Sequence, residues 1–337
     1  MRLGVSIPVE EGLSIGELVG LAQAAERHGY EAVVAGEVAG PDAFALLTAI
    51  AGATERVTLG TGVVPLATRS PALLAMGFQS VASVAPGRVL AGVGVSSPTV
   101  VERWHGREFA PPLAYVREAL PALRAALDGE KLAADGEHVR SDGFRLTLPS
   151  GPRIPIVLAA MRPRMIRLAG ELADGAFLTW CPPEEAAEGV ALLREGARSA
   201  GRDPDELLVI ASFFAYAGPD VDVARERMRR YVLQYASVST HRDNFARSIP
   251  NLDEVETAWR AGDRKRALSL VSDESVERLT PLGAEAAVRR ARDLHAAGID
   301  LPIMVVTAAE HGDGAGPLAT IEAVAEALDL TPTRGAA

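Results

Sequence analysis

The chain has 337 residues, of which 48% are hydrophobic and 23% charged, and its 34 basic against 44 acidic side chains leave a formal charge of −10. An acidic balance with no block of clustered Lys and Arg offers no electrostatic footprint for a nucleic-acid backbone or an anionic membrane, so neither partner is expected. The single cysteine, Cys181, excludes an internal disulfide. No apolar run approaches the roughly 20 residues of a spanning helix, and no charged-then-apolar leader opens the chain, which points to the cytoplasm.

Leu3, Val5 and Ile7, ending at Pro8, read as a first strand. Ser14 with Glu17 three residues on makes a capping box, which opens a helix with the stripe Leu18, Leu21, Ala22 and Ala25 that Gly29 closes. The continuously apolar Ala32-Val33-Val34-Ala35 suits a strand buried on both faces of a parallel sheet. The unit then repeats. A helix over about 42–54 precedes a strand over 57–64, and Pro71 starts a helix to about Val84 before a fourth strand over 88–94.

Ser96 to Pro112 predicts a polar loop, followed by a helix over about 115–127. Lys131 to Leu148 contains Asp135-Gly136 and Asp142-Gly143 and predicts a small hairpin outside the main sheet. Further strands are expected over 154–160, 175–180, 207–216 and 301–306, each followed by a helical pattern. The mostly helical stretch from Val221 to Leu279 is longer than one crossover helix needs and reads as an insertion. Eight strand-then-helix units predict an α/β fold, a (β/α)8 TIM barrel. It forms a single domain over 1–330, with the insertion after the seventh strand, the hairpin between the fourth and fifth, and a short tail over 331–337.

In such a barrel the reactive groups follow the strands. The six histidines show no metal-ligand spacing, so no metal is expected, and the two lysines, Lys131 and Lys265, fall in the hairpin and the insertion, away from any strand end. The ends offer backbone instead. Gly60, Gly62, Gly92 and Gly94 stand where a planar ring could approach the main chain, or where glycine merely relieves crowding at the rim. After the fifth strand, Ala159-Ala160-Met161-Arg162-Pro163-Arg164 enters a helix whose free amides, dipole and guanidinium groups, continued by Arg167, suit an anion; the alternative, a solvated basic first turn, runs against the usual preference for acidic residues there.

Five blocks together resemble the luciferase-like monooxygenase superfamily, and within it the oxidoreductases that use the deazaflavin coenzyme F420. They are Ala25-Glu26-Arg27-His28-Gly29-Tyr30; Leu59-Gly60-Thr61-Gly62-Val63 with Thr68-Arg69-Ser70-Pro71; Gly92-Val93-Gly94-Val95-Ser96-Ser97-Pro98 through Trp104-His105-Gly106; Ala159-Ala160 with Pro163-Arg164-Met165; and Leu168 through Gly175. The resemblance implies a flavin-type cofactor across the C-terminal mouth, a non-proline cis peptide at Gly62-Val63, and a homodimer. Carried over by position, it implies that Gly94, Ser96 and Ser97 touch the cofactor's ring or ribityl chain. Ala159, Ala160 and Met161 would offer amides to its phosphate beside Arg162 and Arg164, and Thr179 would donate a hydroxyl.

Where many relatives carry an acidic residue followed by His, this chain has Glu37-Val38. Glu37 is then the candidate proton donor, or else a structural partner of an arginine, and His105 is the second candidate donor. Trp104, Trp180 and Phe214 are candidate substrate contacts, although an aromatic cluster near a strand end is as often core, and Cys181 reads as a small buried apolar residue. The expected activity is hydride transfer between the deazaflavin and a small organic substrate. An FMN-dependent monooxygenase and a cofactor-binding protein without turnover are the alternatives.

Overall fold

The apolar runs pair as parallel neighbours. In the computed structural model, which describes residues 1–148, 151–238 and 241–330, they are β1 (Gly4–Ser6), β2 (Ala32–Ala35), β3 (Thr58–Thr61), β4 (Val64–Pro65), β5 (Val89–Gly94), β8 (Ile156–Ala159), β9 (Gly175–Thr179), β10 (Leu208–Ala215) and β11 (Leu301–Val306). The order β3-β2-β1-β11-β10-β9-β8-β5 is closed by a β3–β5 pairing, Leu59 beside Val89 and Gly60 beside Leu90, which makes an eight-stranded parallel barrel. The third strand is split. Its second piece, β4, pairs with Val93 and Gly94, and a cis peptide at Gly62-Val63 lies between the two pieces, where the resemblance places it.

Eight helices wrap the sheet: α1 (Ile15–Arg27), α2 (Ala43–Ala53), α3 (Pro71–Val84), α4 (Pro112–Leu127), α5 (Pro163–Leu172), α6 (Pro183–Ser199), α12 (Ala284–Ala296) and α13 (Ala315–Leu328). Their starts follow the sequence signals. Ser14 and Glu17 form the reciprocal capping box of α1, Asp42 accepts the Ala45 amide at 2.9 Å, and Ser70 accepts the Leu73 amide at 3.2 Å ahead of α3. The hairpin β6 (Ala133–Asp135) with β7 (Arg140–Asp142) stands outside the barrel as expected. Within the predicted loop after β5, Thr99–Trp104 forms one wide helical turn. The tail over 331–337 lies outside the described residues.

Two residues of the resemblance blocks belong to the N-terminal face of the barrel, where a carboxylate holds strands in place rather than serving chemistry. Glu26 accepts the amides of Arg56 at 2.6 Å and Val57 at 3.0 Å, which sets the entry to β3. Asp174 accepts the Ile156 amide at 2.7 Å and pairs with Arg124 and Arg153, which ties β8 to the turn before β9.

The insertion is α7 (Val221–Ala236), α8 (Arg242–Phe245), α9 (Leu252–Arg260), α10 (Arg264–Leu270) and α11 (Asp273–Leu279). It has its own apolar core, with Met228, Val232, Leu233, Phe245, Ile249 and Val276 all buried. The barrel residue Trp180 belongs to that core. The insertion therefore packs on the C-terminal rim.

Candidate active site at the barrel mouth

Side chains alternate along each strand, so two successive inward layers can be read from one register. The lower layer holds Val34, Leu90, Val157, Phe177, Ile210 and Ile303, which fill the barrel. Two residues further along the same strands, the layer at the mouth holds Ser6, Gly36, Gly62, Gly92, Ala159, Thr179, Ser212 and Val305. None is larger than valine. Gly36, Gly62, Ala159, Thr179 and Val305 stay half-buried rather than buried, so the barrel is plugged below and forms a shallow bowl above.

The rim glycines are crowded by other protein atoms, as the crowding reading expects. A Cβ on Gly92 would lie 1.9 Å from the Thr61 carbonyl oxygen, and one on Gly94 2.9 Å from Val63 Cγ2 and 3.1 Å from Ala159 Cβ. A Cβ on Gly62 would meet Val34 Cγ2 at 2.8 Å. The Val63 side chain thus lies against β5, and the bowl is emptied by the small residues of the other strands as much as by these glycines. Beyond β5 the chain turns at Ser96, whose φ of +62° is in the left-handed region, and the Ser97 hydroxyl oxygen accepts the Val100 amide at 3.4 Å. Ser96 is exposed and Ser97 half-buried at the edge of the bowl.

At β8 the expected anion site is partly corrected. The Ala160 amide donates to the Phe177 carbonyl at 3.1 Å and is therefore not available to a phosphate. The Met161 carbonyl accepts Asn244 Nδ2 of α8 at 2.9 Å, and Arg162 faces Asp243 at 3.4 Å, so the insertion docks on this corner. Arg167 is turned to Glu195 at 2.9 Å and takes no part. What is left for an anion is the first turn of α5, headed by Pro163 with Arg164 exposed beside Arg162. Thr179 accepts the Ser212 hydroxyl at 3.0 Å, which leaves its own O–H directed elsewhere at a half-buried position on the rim.

The two candidate proton donors have different surroundings. Glu37 accepts Arg69 Nε at 3.0 Å and Nη2 at 2.8 Å, and also the Ala43 amide at 3.1 Å. Both its oxygens are occupied, so it is the arginine's structural partner at the start of α2 rather than a hydrogen-bond donor. Trp104 is 55% exposed and His105 also exposed, on the turn after β5.

Trp180 is corrected as well: at 3% exposure it is a packing residue. It stacks on Phe214 at 4.4 Å and meets Tyr235 at 4.9 Å and Phe245 at 5.3 Å. Phe214 keeps one side half-exposed on the rim, so of the two only it can face a substrate. Cys181 is half-buried rather than buried, and desolvation still pushes its thiol up to about 12.

Sequence reasoning missed the groups that hold the insertion down. Glu11, 3% exposed in the loop after β1, makes an ion pair with Arg227 of α7 and accepts the Tyr231 hydroxyl at 3.2 Å. Burial raises its carboxyl above the usual range even with the arginine present, since desolvation outweighs the guanidinium. Glu10 is raised too, by burial and by Glu11. No local pattern marks a pair 216 residues apart. The one available hint was two adjacent acidic residues just beyond a strand end. Among the described residues no group of His, Cys, Asp and Glu could hold a metal, and the grooves outside the mouth, around Asp253 and Arg266 and on the hairpin, share no residue with it.

A closed parallel barrel with small side chains at its mouth, a basic helix start beside it and a helical insertion packed on its rim defines the chain as an α/β barrel of the (β/α)8 class. Residues 1–301 match the family model of the luciferase-like monooxygenases, and the chain belongs to that family. It is 29% identical over 312 residues to a putative coenzyme F420-dependent oxidoreductase of Mycobacterium tuberculosis, covering 86% of this chain and 89% of that one. It is 28% identical over 299 residues to an F420-dependent glucose-6-phosphate dehydrogenase of Mycobacterium avium, covering 81% and 88%. Among solved structures, the coenzyme F420-dependent tetrahydromethanopterin reductase from Methanopyrus kandleri superposes with a TM-score of 0.81 at 22% identity, over 97% of this chain and 98% of that one.

Proposed function

We propose that this chain is an oxidoreductase that uses the deazaflavin coenzyme F420 on a small organic substrate. The observation that carries the reading is the mouth layer of Ser6, Gly36, Gly62, Gly92, Ala159, Thr179, Ser212 and Val305: a bowl without large side chains, floored by Leu90 and Phe177 and flanked by the basic start of α5. A fused planar ring fits such a space, and an acidic tail fits its basic edge. The names of the relatives, 29% and 28% identical, support the same cofactor.

When bound, the deazaflavin supplies hydride transfer, and the protein contributes position and electrostatics. The main chain from Gly62 to Val63 and from Gly94 to Ser97 would hold the ring and the chain next to it. The amide of Met161, the Arg162 and Arg164 guanidiniums and the dipole of α5 would hold the phosphate, with the Thr179 hydroxyl donating from the neighbouring strand β9. The half-buried rings of Phe214, Tyr231 and Tyr235 would exclude water on the β10 side.

Fluorescence titration of the purified protein with F420 and, separately, with FMN tests the assignment. F420 should bind in the micromolar range or tighter and FMN at least ~10-fold more weakly, and Arg164→Ala should weaken F420 by about 3- to 10-fold, the size of one charge-assisted contact. Preference for FMN would replace the cofactor assignment with the monooxygenase alternative.

The same reading takes two copies of the chain as the working unit. Helices α2 and α3 contain no charged residue, and α3 exposes Leu73, Met76 and Val84 at 45%, 48% and 45%. Exposed apolar side chains along one uncharged helix suit a self-complementary contact. Light scattering should give about twice the 35.3 kDa of one chain, and the pair Leu73→Glu and Met76→Glu should return a monomer with its fold intact. A monomeric wild-type chain would remove this part of the proposal.

A further inference from the structure

We propose that the mouth carries a second subsite, for the planar ring of an uncharged, unsaturated substrate, formed by Phe214, Tyr231, Tyr235 and His241 where the insertion overhangs the ends of β8, β9 and β10. The subsite deepens the deazaflavin reading by naming the substrate class, and it rests on that reading for the reaction but not for the binding.

Four half-buried rings form a continuous series. Phe214 ends an inward face of β10 and lies 6.2 Å from Tyr231 and 6.5 Å from Tyr235, centroid to centroid. Tyr235 continues to His241 at 6.0 Å with the planes only 13° apart. Behind them the buried Trp180 stacks on Phe214 at 23° and touches Tyr235, so the ring orientations are set from the core side, and the four rings in front of it stay half-buried rather than buried. The α8 contacts described above, Asn244 to Met161 and Asp243 to Arg162, hold the His241 end of the series over the β8 corner. Rings offset at such distances attract a further ring beyond what its buried area supplies.

Charge decides against an anionic substrate. The carboxyls of Glu10 and Glu11 face the two tyrosines. Glu11 accepts the Tyr231 hydroxyl, and burial followed by the charge of Glu10 pushes the Tyr235 phenol up to about 12. Burial also lowers the His241 imidazole, with Arg162 acting in the same sense, so at neutral pH it presents an uncharged ring. The cation beside the tyrosines, Arg227, is already matched by Glu11. A phosphate placed beside the two tyrosines would meet the Glu10 and Glu11 carboxylates, which sets the subsite against a sugar phosphate.

Isothermal titration of the full-length protein, with and without F420, tests this with three probes: 2-acetonaphthone, cyclohexanone and glucose 6-phosphate. The planar ketone should bind at least ~10-fold more tightly than cyclohexanone, and the sugar phosphate should show no saturable binding. Phe214→Leu and Tyr235→Leu should each weaken 2-acetonaphthone by about 3- to 10-fold, whereas Tyr235→Phe, which keeps the ring, should not. Equal binding of the two ketones, saturable binding of glucose 6-phosphate, or Leu variants indistinguishable from wild type would overturn the subsite. Binding of 2-acetonaphthone by a protein that ignores F420 would leave the subsite standing and remove the cofactor assignment instead.

Discussion

Ala159→Phe is expected to raise the dissociation constant for F420 by at least ~100-fold, or about 2.7 kcal/mol, with the unfolding midpoint within a few degrees of wild type. Ala159 ends β8 on the inward face, half-buried, and its Cβ is 3.1 Å from where Gly94 would carry one. The neighbouring space along the rim is taken by Val63 and by the chain leaving β5. A benzyl group at this position therefore extends into the bowl. The layer beneath, Val157 and Phe177, is untouched and keeps the barrel closed. Titration by deazaflavin fluorescence, paired with a thermal melt, separates a blocked site from a damaged fold. An unchanged affinity would mean that the cofactor does not occupy the bowl.

Arg227→Met should destabilise the protein by about 3–5 kcal/mol, because it leaves the Glu11 carboxylate buried without its counter-ion. The remaining partner, the Tyr231 hydroxyl at 3.2 Å, cannot replace a guanidinium. Replacing both, as Glu11→Leu with Arg227→Met, should recover most of the loss, since a matched apolar pair carries no desolvated charge. The sign of the pH dependence follows from the direction of the Glu11 shift. Its carboxyl is raised in the folded chain, and removing the arginine raises it further. Stability from a raised carboxyl is fully present below the ordinary carboxylate range and is lost as pH rises through the raised value. The single variant should therefore be weakest at neutral pH and regain stability on acidification toward ~4. Urea unfolding at several pH values checks this; a loss independent of pH would show that Glu11 is not the group left unpaired.

Both predictions concern the rim, and the rim is where the sequence was least legible. The inert parts of the site were readable: the strand that carries Ala159, the Pro163 helix start and, through the family resemblance, the Gly62-Val63 peptide all lie where the chain order places them. Partnerships were not. Glu37 looked like a proton donor because it follows a strand, but Arg69, 32 residues away, occupies it. Ala160 looked like an anion ligand because it follows a strand, but the neighbouring β9 already takes its amide through Phe177. Trp180 looked like a substrate contact for the same reason, and the insertion covers it.

By itself the sequence determined the eight parallel units, the capped helix starts and the bounds of the helical insertion, because hydrophobic period, caps and glycine or proline stops act within a dozen residues of one another. Only the tertiary structure decided which rim groups are spent on the protein and which stay open. Barrel closure brings β3 against β5, and the docking of α7 and α8 brings Arg227 to Glu11 and Asn244 to Met161. Those meetings depend on strand register and on the direction in which the insertion packs. Hydrogen bonds and ion pairs are satisfied across the closed barrel, wherever in the chain their partners arise.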